Sequence, residues 1–199
     1  MTPQHERTWR ILRMTVGQIV RILIRPRVRG REHLPLTGPV ILVSNHQSLL
    51  DIPVLGHVQP RVIRYMAKSE LFRIPVFGRI VLAGGGFPVR RGEADREALR
   101  TVHETVLGGG VVGIFIQGHR QAELEGAKAG AGRCAVVEGA PVVPVAIRGT
   151  RNWRPGRQVT VAFGPARTYE RGDRRAAVAY RETADQLMAD IRELYESLA

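Results

Sequence analysis

The chain has 199 residues, 44% hydrophobic and 24% charged, which is one domain of ordinary size and not a disordered chain. Thirty Lys+Arg against eighteen Asp+Glu leave a formal charge of +12, so anionic partners are expected: phosphate-bearing substrates, an anionic membrane surface or nucleic acid. The single cysteine, Cys134, excludes an internal disulfide and any multi-Cys zinc site.

The first segment reads as a basic amphipathic helix ending at Pro26. Trp9, Leu12, Val16, Ile19, Val20 and Leu23 recur at steps of three and four, which places them on one stripe. Arg7, Arg10, Arg21 and Arg25 fall opposite. Two readings stay open: a helix packed on the core, or a helix lying in a lipid interface with its arginines toward anionic headgroups. No apolar run approaches the roughly 18 residues that cross a bilayer as a helix. No cleavable secretory leader is expected, because residues 14–20 lack a small-residue cleavage site after them.

Strands and helices then alternate. Apolar, β-branched runs at 39–44, 62–67, 87–90, 111–116, 142–147 and 159–163 read as strands. Helices are expected from Asp51 onward, with Asp51 as its own cap and Pro53 in the first turn, and over 71–82, 94–107 and 128–138. The clearest helix is the last, where Tyr180, Ala184, Leu187, Met188, Ile191, Leu194 and Leu198 form one stripe. This order predicts an α/β fold: a mainly parallel or mixed sheet flanked by helices and preceded by the basic N-terminal helix. The expected division is an N-terminal helix over 1–27 and an α/β domain over 28–199. Chemistry belongs in the loops that leave the carboxyl ends of the strands.

Four blocks fall in such loops. The first is Ser44-Asn45-His46-Gln47-Ser48-Leu49-Leu50-Asp51. A turn between His46 and Asp51 brings the carboxylate onto the imidazole, fixing its tautomer and leaving the other nitrogen to take a proton. The bland alternative is a helix-capping Asp51 beside a loop histidine. Ser48 as a nucleophile lacks the Gly-x-Ser-x-Gly elbow. The second block, Gly84 to Gly92, joins three glycines to Arg90 and Arg91, a pair able to fork onto phosphate oxygens. It lacks the Gly-Lys-Ser/Thr of a nucleotide P-loop. The third is Phe115-Ile116-Gln117-Gly118-His119-Arg120, and the fourth runs from Ala140 to Gly149 with Val143, Pro144 and Val145 as a Val-Pro-Val run. Cys134 reads as a small buried residue. The remaining histidines share no metal-ligand spacing, so no metal is expected.

Taken together and in this order, the blocks resemble the glycerolipid acyltransferase family of the 1-acyl-glycerol-3-phosphate acyltransferase type. Asn45, His46, Ser48 and Asp51 match its Asn-His-x-Ser-x-x-Asp motif. Arg91, with Arg90 beside it, matches the arginine of the second. Phe115, Gly118 and Arg120 match Phe-Pro-Glu-Gly-Thr-Arg, and Val143-Pro144-Val145 the fourth motif. The likeness runs over about residues 28–165. One departure stands out: Ile116-Gln117 replaces Pro-Glu, which keeps a hydrogen-bonding shape and loses a charge.

The resemblance implies transfer of a fatty acyl group from acyl-CoA or acyl carrier protein to a lysophospholipid hydroxyl, with no cofactor beyond the donor. His46 would be the general base and Asp51 its orienting acid. Arg91, Arg120 and Arg90 would hold substrate phosphate. Gln117, Gly118, Asn45 and Ser48 would surround the acceptor and the oxyanion, and Pro144 and Val145 would face the acyl donor. An acceptor other than 1-acyl-glycerol-3-phosphate, a catalytically silent lipid-binding protein and a nucleic-acid-binding module are the alternatives. Nucleic acid is not expected, because aromatics are sparse at 6%. A peripheral position on the cytoplasmic face of the membrane is expected. Whether residues 71–77 form core, acyl channel or membrane contact stays open.

Overall fold

A computed structural model describes residue 11 and residues 14–90 and 95–199, without the Phe77 side chain. Among these residues seven strands form one sheet: β1 (Arg27–Arg29), β2 (Val40–Ser44), β3 (Ile63–Lys68), β4 (Gly86–Val89), β5 (Val111–Phe115), β6 (Val142–Arg148) and β7 (Thr160–Phe163). Their order is β1-β7-β6-β2-β5-β3-β4. Pairing is parallel except between β6 and β7, so the sheet is mixed, as expected.

β2 is the centre of the sheet because all five of its residues are apolar or small, and all five are buried. Alternation along it serves two cores. Ile41 and Val43 face one side, with Val102, Cys134, Leu187 and Ile191. Those residues come from α3 (Arg96–Leu107), α4 (Ala129–Glu138) and α5 (Ala176–Glu196). Val40 and Leu42 face the other side, with Val20, Ile24, Val54 and Leu55 from the N-terminal helix and α1 (Asp51–Val58). At Gly132, where α4 meets α5, a Cβ would lie 2.0 Å from the Tyr180 carbonyl oxygen. Only glycine permits that approach.

Three expectations need correction. The helix expected over 71–82 is a 3₁₀ turn (Ser69–Arg73) followed by α2 (Phe77–Ala83). Pro75 holds the preceding Ile74 extended, and Val76 takes a φ of +64°, which breaks the helix. β1 was not among the expected strands, because Arg27-Val28-Arg29 carries one apolar residue. In the N-terminal segment, residues 14–19 are α-helical and Val20–Ile24 widen to a π-turn, with the Arg25 amide donating to the Val20 carbonyl at 3.0 Å. Val16, Val20 and Ile24 therefore turn inward, while Ile19 and Leu23 point outward beside Ile11, Met14 and Ile22. Trp9, Leu12, Arg7 and Arg10 lie outside the described residues.

Register brings the strand ends level. Ser44 pairs with Phe115 on β5 and with Val145 on β6. The loops leaving β2, β5 and β6 consequently converge at one edge of the sheet.

Candidate active site

The loop leaving β2 is tied down on both sides before it reaches His46. Asn45, fully buried, offers its amide oxygen to the Ile147 N–H at 2.8 Å and donates its amide nitrogen to the Ile147 carbonyl at 2.9 Å. This continues the β2–β6 pairing by one side chain. On the β5 side, the His46 N–H donates to Gln117 Oε1 at 2.8 Å, and the His46 carbonyl accepts from the Gln121 N–H at 3.0 Å. The His46 ring stacks on Phe115 with centroids 4.0 Å apart and 19° between planes. Backbone and ring are both fixed, so the imidazole needs little reorganisation to act.

His46 Nδ1 lies 2.9 Å from Asp51 Oδ2. The same oxygen accepts the Gln47 N–H at 2.7 Å and the Ser48 N–H at 2.8 Å. Asp51 Oδ1 accepts the Thr150 hydroxyl at 2.6 Å. Asp51 is wholly buried and His46 is 6% exposed. An unpaired buried carboxylate costs several kcal/mol, and these donors offset that cost. Because Oδ2 already accepts two backbone N–H groups, His46 Nδ1 carries the proton, and Nε2 is left as a base. Nε2 has no partner among the described residues. The expected cap role of Asp51 is corrected: α1 has no side-chain cap, and Asp51 gathers the amides of its own loop instead.

His46 borders an apolar cavity of about 420 Å³. Val16 and Gly17 of the N-terminal helix, Ile52 and Gly56 of α1, Tyr65 of β3 and Val81 of α2 wall it. Leu71 and Ile80 also line it, so the segment that began at Leu71 contributes to the cavity. Arg120 and Lys68 stand on its border, and both are exposed. The Tyr65 hydroxyl is buried there without a hydrogen-bond partner among the described residues. Burial pushes its phenol far above the ordinary range, which leaves it a proton donor.

The other sequence candidates are placed differently. Arg90 is exposed and pairs with Asp95, its Nε 3.8 Å from Oδ2, away from the cavity lining. Arg91 lies outside the described residues. Ser48 Oγ accepts the Leu50 N–H at 3.2 Å and shares no hydrogen bond with His46. The Gly118 N–H donates to the Phe115 carbonyl at 2.9 Å, closing a turn at a φ of +70° that favours glycine. Gln117 is fully buried, and its Nε2 donates to the Glu123 carbonyl at 2.6 Å. Both ends of that amide are engaged within the protein, so it anchors the loops. Asn45 is likewise a clasp. Pro144 and Val145 are sheet core, outside the cavity lining. The fourth block reaches the site through Ile147, and the residue just after it, Thr150, joins the site through Asp51 with no signal in the sequence to mark it. No group of three or more His, Cys, Asp or Glu able to hold a metal ion occurs among the described residues.

A family model described as acyltransferase matches residues 25–148. The chain is 33% identical over 124 residues to the 1-acyl-sn-glycerol-3-phosphate acyltransferase of Bacillus subtilis, covering 62% of each. It is 35% identical over 127 residues to the alpha enzyme of that name from Mus musculus, covering 61% of this chain and 45% of the relative. The chain thus spans less than two thirds of the length of these curated relatives. Among solved structures, the 1-acyl-sn-glycerophosphate acyltransferase PlsC of Thermotoga maritima superposes with a TM-score of 0.72 at 25% identity, over 98% of this chain and 83% of that one.

Proposed function

The chain belongs to the acyltransferase family, and on that premise we propose that it moves a fatty acyl group from acyl-CoA or acyl carrier protein to the free hydroxyl of 1-acyl-glycerol-3-phosphate, giving phosphatidic acid. The observation that carries this reading is the His46–Asp51 pair at the end of an apolar cavity. His46 Nε2 takes the hydroxyl proton as the oxygen attacks the thioester carbonyl. The tetrahedral intermediate collapses with loss of the thiolate, which receives that proton from the imidazolium. Asp51, held by Thr150 and two amides, keeps Nδ1–H in place and faces the positive charge that forms. The acyl chain lies in the apolar cavity. Arg120 and Lys68 border the cavity and would hold the acceptor's phosphate, Arg120 with the forked geometry that phosphate favours.

The reading includes attachment to an anionic membrane surface. No described helix is long and apolar enough to cross a membrane. The N-terminal helix exposes Ile11, Met14, Ile19, Ile22 and Leu23, with Arg21 and Arg25 also exposed. Leu49 and Ile80 are half exposed and also line the cavity. A lipid surface covering that helix would meet the cavity it helps to wall.

The test is an acceptor panel with palmitoyl-CoA, products identified by mass spectrometry. Phosphatidic acid from 1-acyl-glycerol-3-phosphate is expected; product from glycerol-3-phosphate alone would move the assignment to another acceptor.

A further inference from the structure

A second cavity, of about 470 Å³, lies on the other side of the catalytic loop. Its walls are polar and basic. Arg148, Arg151 and Arg157 line it, and no carboxylate does. None of the three has a carboxylate partner among the described residues, although five arginine–carboxylate pairs occur elsewhere among them. Arg148 is fixed, its Nη1 donating to the Tyr195 carbonyl at 3.2 Å and its guanidinium 5.1 Å from the Tyr195 ring centroid. Arg151 and Arg157 are exposed. Uncompensated guanidinium groups in a concave site focus a positive potential and fork onto phosphate oxygens.

The cavity shares a wall with the active site. Gln47 and Ala122 face the basic cavity, while His46 and Arg120, from the same two loops, face the apolar one. Gln47 is locked in that ridge, its Nε2 donating to the Ala122 carbonyl at 2.8 Å and its Oε1 accepting the Tyr195 hydroxyl at 3.2 Å. The chemical order across the ridge is therefore apolar cavity, catalytic base, cationic cavity. A coenzyme A thioester has that order: acyl chain, reacting carbonyl, a long pantetheine arm, then phosphates. In a lysophosphatidate the hydroxyl is separated from its phosphate by the glycerol alone, with no arm comparable to pantetheine.

We propose that the cavity lined by Arg148, Arg151 and Arg157 binds the nucleotide phosphates of a coenzyme A-type acyl donor, whose pantetheine arm crosses the Gln47–Ala122 ridge to His46. This rests on the acyl-transfer reading and names its donor. Residues 148–152 then have a double task, because Thr150 from the same stretch holds Asp51.

The test compares wild type with the double variant Arg151→Glu/Arg157→Glu, at two exposed loop positions. Calorimetric titration with adenosine 3′,5′-bisphosphate and with coenzyme A reads the site without turnover. Affinity for both is expected to fall by about tenfold or more, the scale of losing charge-assisted hydrogen bonds, with the thermal midpoint unchanged. In turnover, KM for palmitoyl-CoA is expected to rise with kcat little altered, while KM for S-palmitoyl-pantetheine, which lacks the nucleotide, stays the same. Unchanged titrations overturn the proposal. So does an equal rise in KM for both thioesters. Inorganic phosphate binding the wild type as tightly as coenzyme A overturns the assignment to the donor, since the cavity would then take phosphate from any source. Wild type that binds coenzyme A through these arginines but turns over no acceptor supports the site and overturns acyl transfer; turnover with arginine-independent binding does the reverse.

Discussion

Thr150 donates its hydroxyl to Asp51 Oδ1 at 2.6 Å across 99 positions of sequence. This bond joins the loop after β6 to the loop after β2 and fixes the carboxylate that fixes His46. Thr150→Val keeps the shape and removes the donor. A hydrogen bond to a charged group is worth about 1.5–3 kcal/mol, so kcat should fall by about 10- to 100-fold with KM nearly constant. Thr150→Ser should restore most of it. Steady-state kinetics on the three proteins decides, and a full-rate Val variant would remove Thr150 from the positioning of Asp51.

Asp51→Asn tests charge apart from geometry. The Gln47 and Ser48 amides hold an oxygen at the Oδ2 position, so the asparagine oxygen settles there and its nitrogen turns toward the Thr150 hydroxyl, which then accepts. The His46 tautomer survives. The expected loss in kcat is about 10²-fold, smaller than the roughly 10⁴-fold seen when the corresponding change in a serine protease spoils the tautomer. A loss near 10⁴ would show that the amides do not hold the oxygen.

Gln117→Glu replaces a donor with an acceptor facing the Glu123 carbonyl. The expected result is a loss of about 1–3 kcal/mol in stability by chemical denaturation and a uniform fall in rate across acceptors. A changed acceptor ranking would place this side chain in contact with substrate after all.

Tyr65→Phe removes a buried hydroxyl that has no partner among the described residues. Stability should rise by about 1 kcal/mol, because the desolvation penalty of that group disappears. A drop in the unfolding midpoint would show that the hydroxyl is satisfied.

Asp95 caps α3, accepting the Glu97 and Ala98 amides at 3.1 Å and the Arg90 amide at 2.8 Å. The Arg90 amide, then that of Ala98, holds its carboxyl below the ordinary range. Its contribution is therefore complete above about pH 4 and lost as pH falls through the lower folded value. Asp95→Ala should cost about 1 kcal/mol at pH 7, with the difference from wild type closing in acid. A difference that stays constant as the pH is lowered would contradict the assignment.

What the sequence made legible was local. β2 is a continuous apolar run, and His46 and Asp51 lie five apart beside its end, so strand, loop and pair were readable together. Thr150 was not, because Arg-Gly-Thr-Arg reads as a solvated turn until the fold carries it to Asp51. The phase of the N-terminal helix is hidden in the sequence for a different reason. A 3.6-residue period selects Leu23, whereas the π-turn shifts the inward position to Ile24. Gln117, Asn45 and Gly118 were legible as neighbours of the base but not as structural ties, since composition does not say which amides already have partners.

The most direct measurement is thiol release from palmitoyl-CoA with 1-acyl-glycerol-3-phosphate, for wild type and for His46→Ala shown by circular dichroism to be folded. Wild type is expected to release thiol and form phosphatidic acid, and His46→Ala to fall to background. Equal rates in the two proteins would contradict the account, because it assigns the hydroxyl proton to His46.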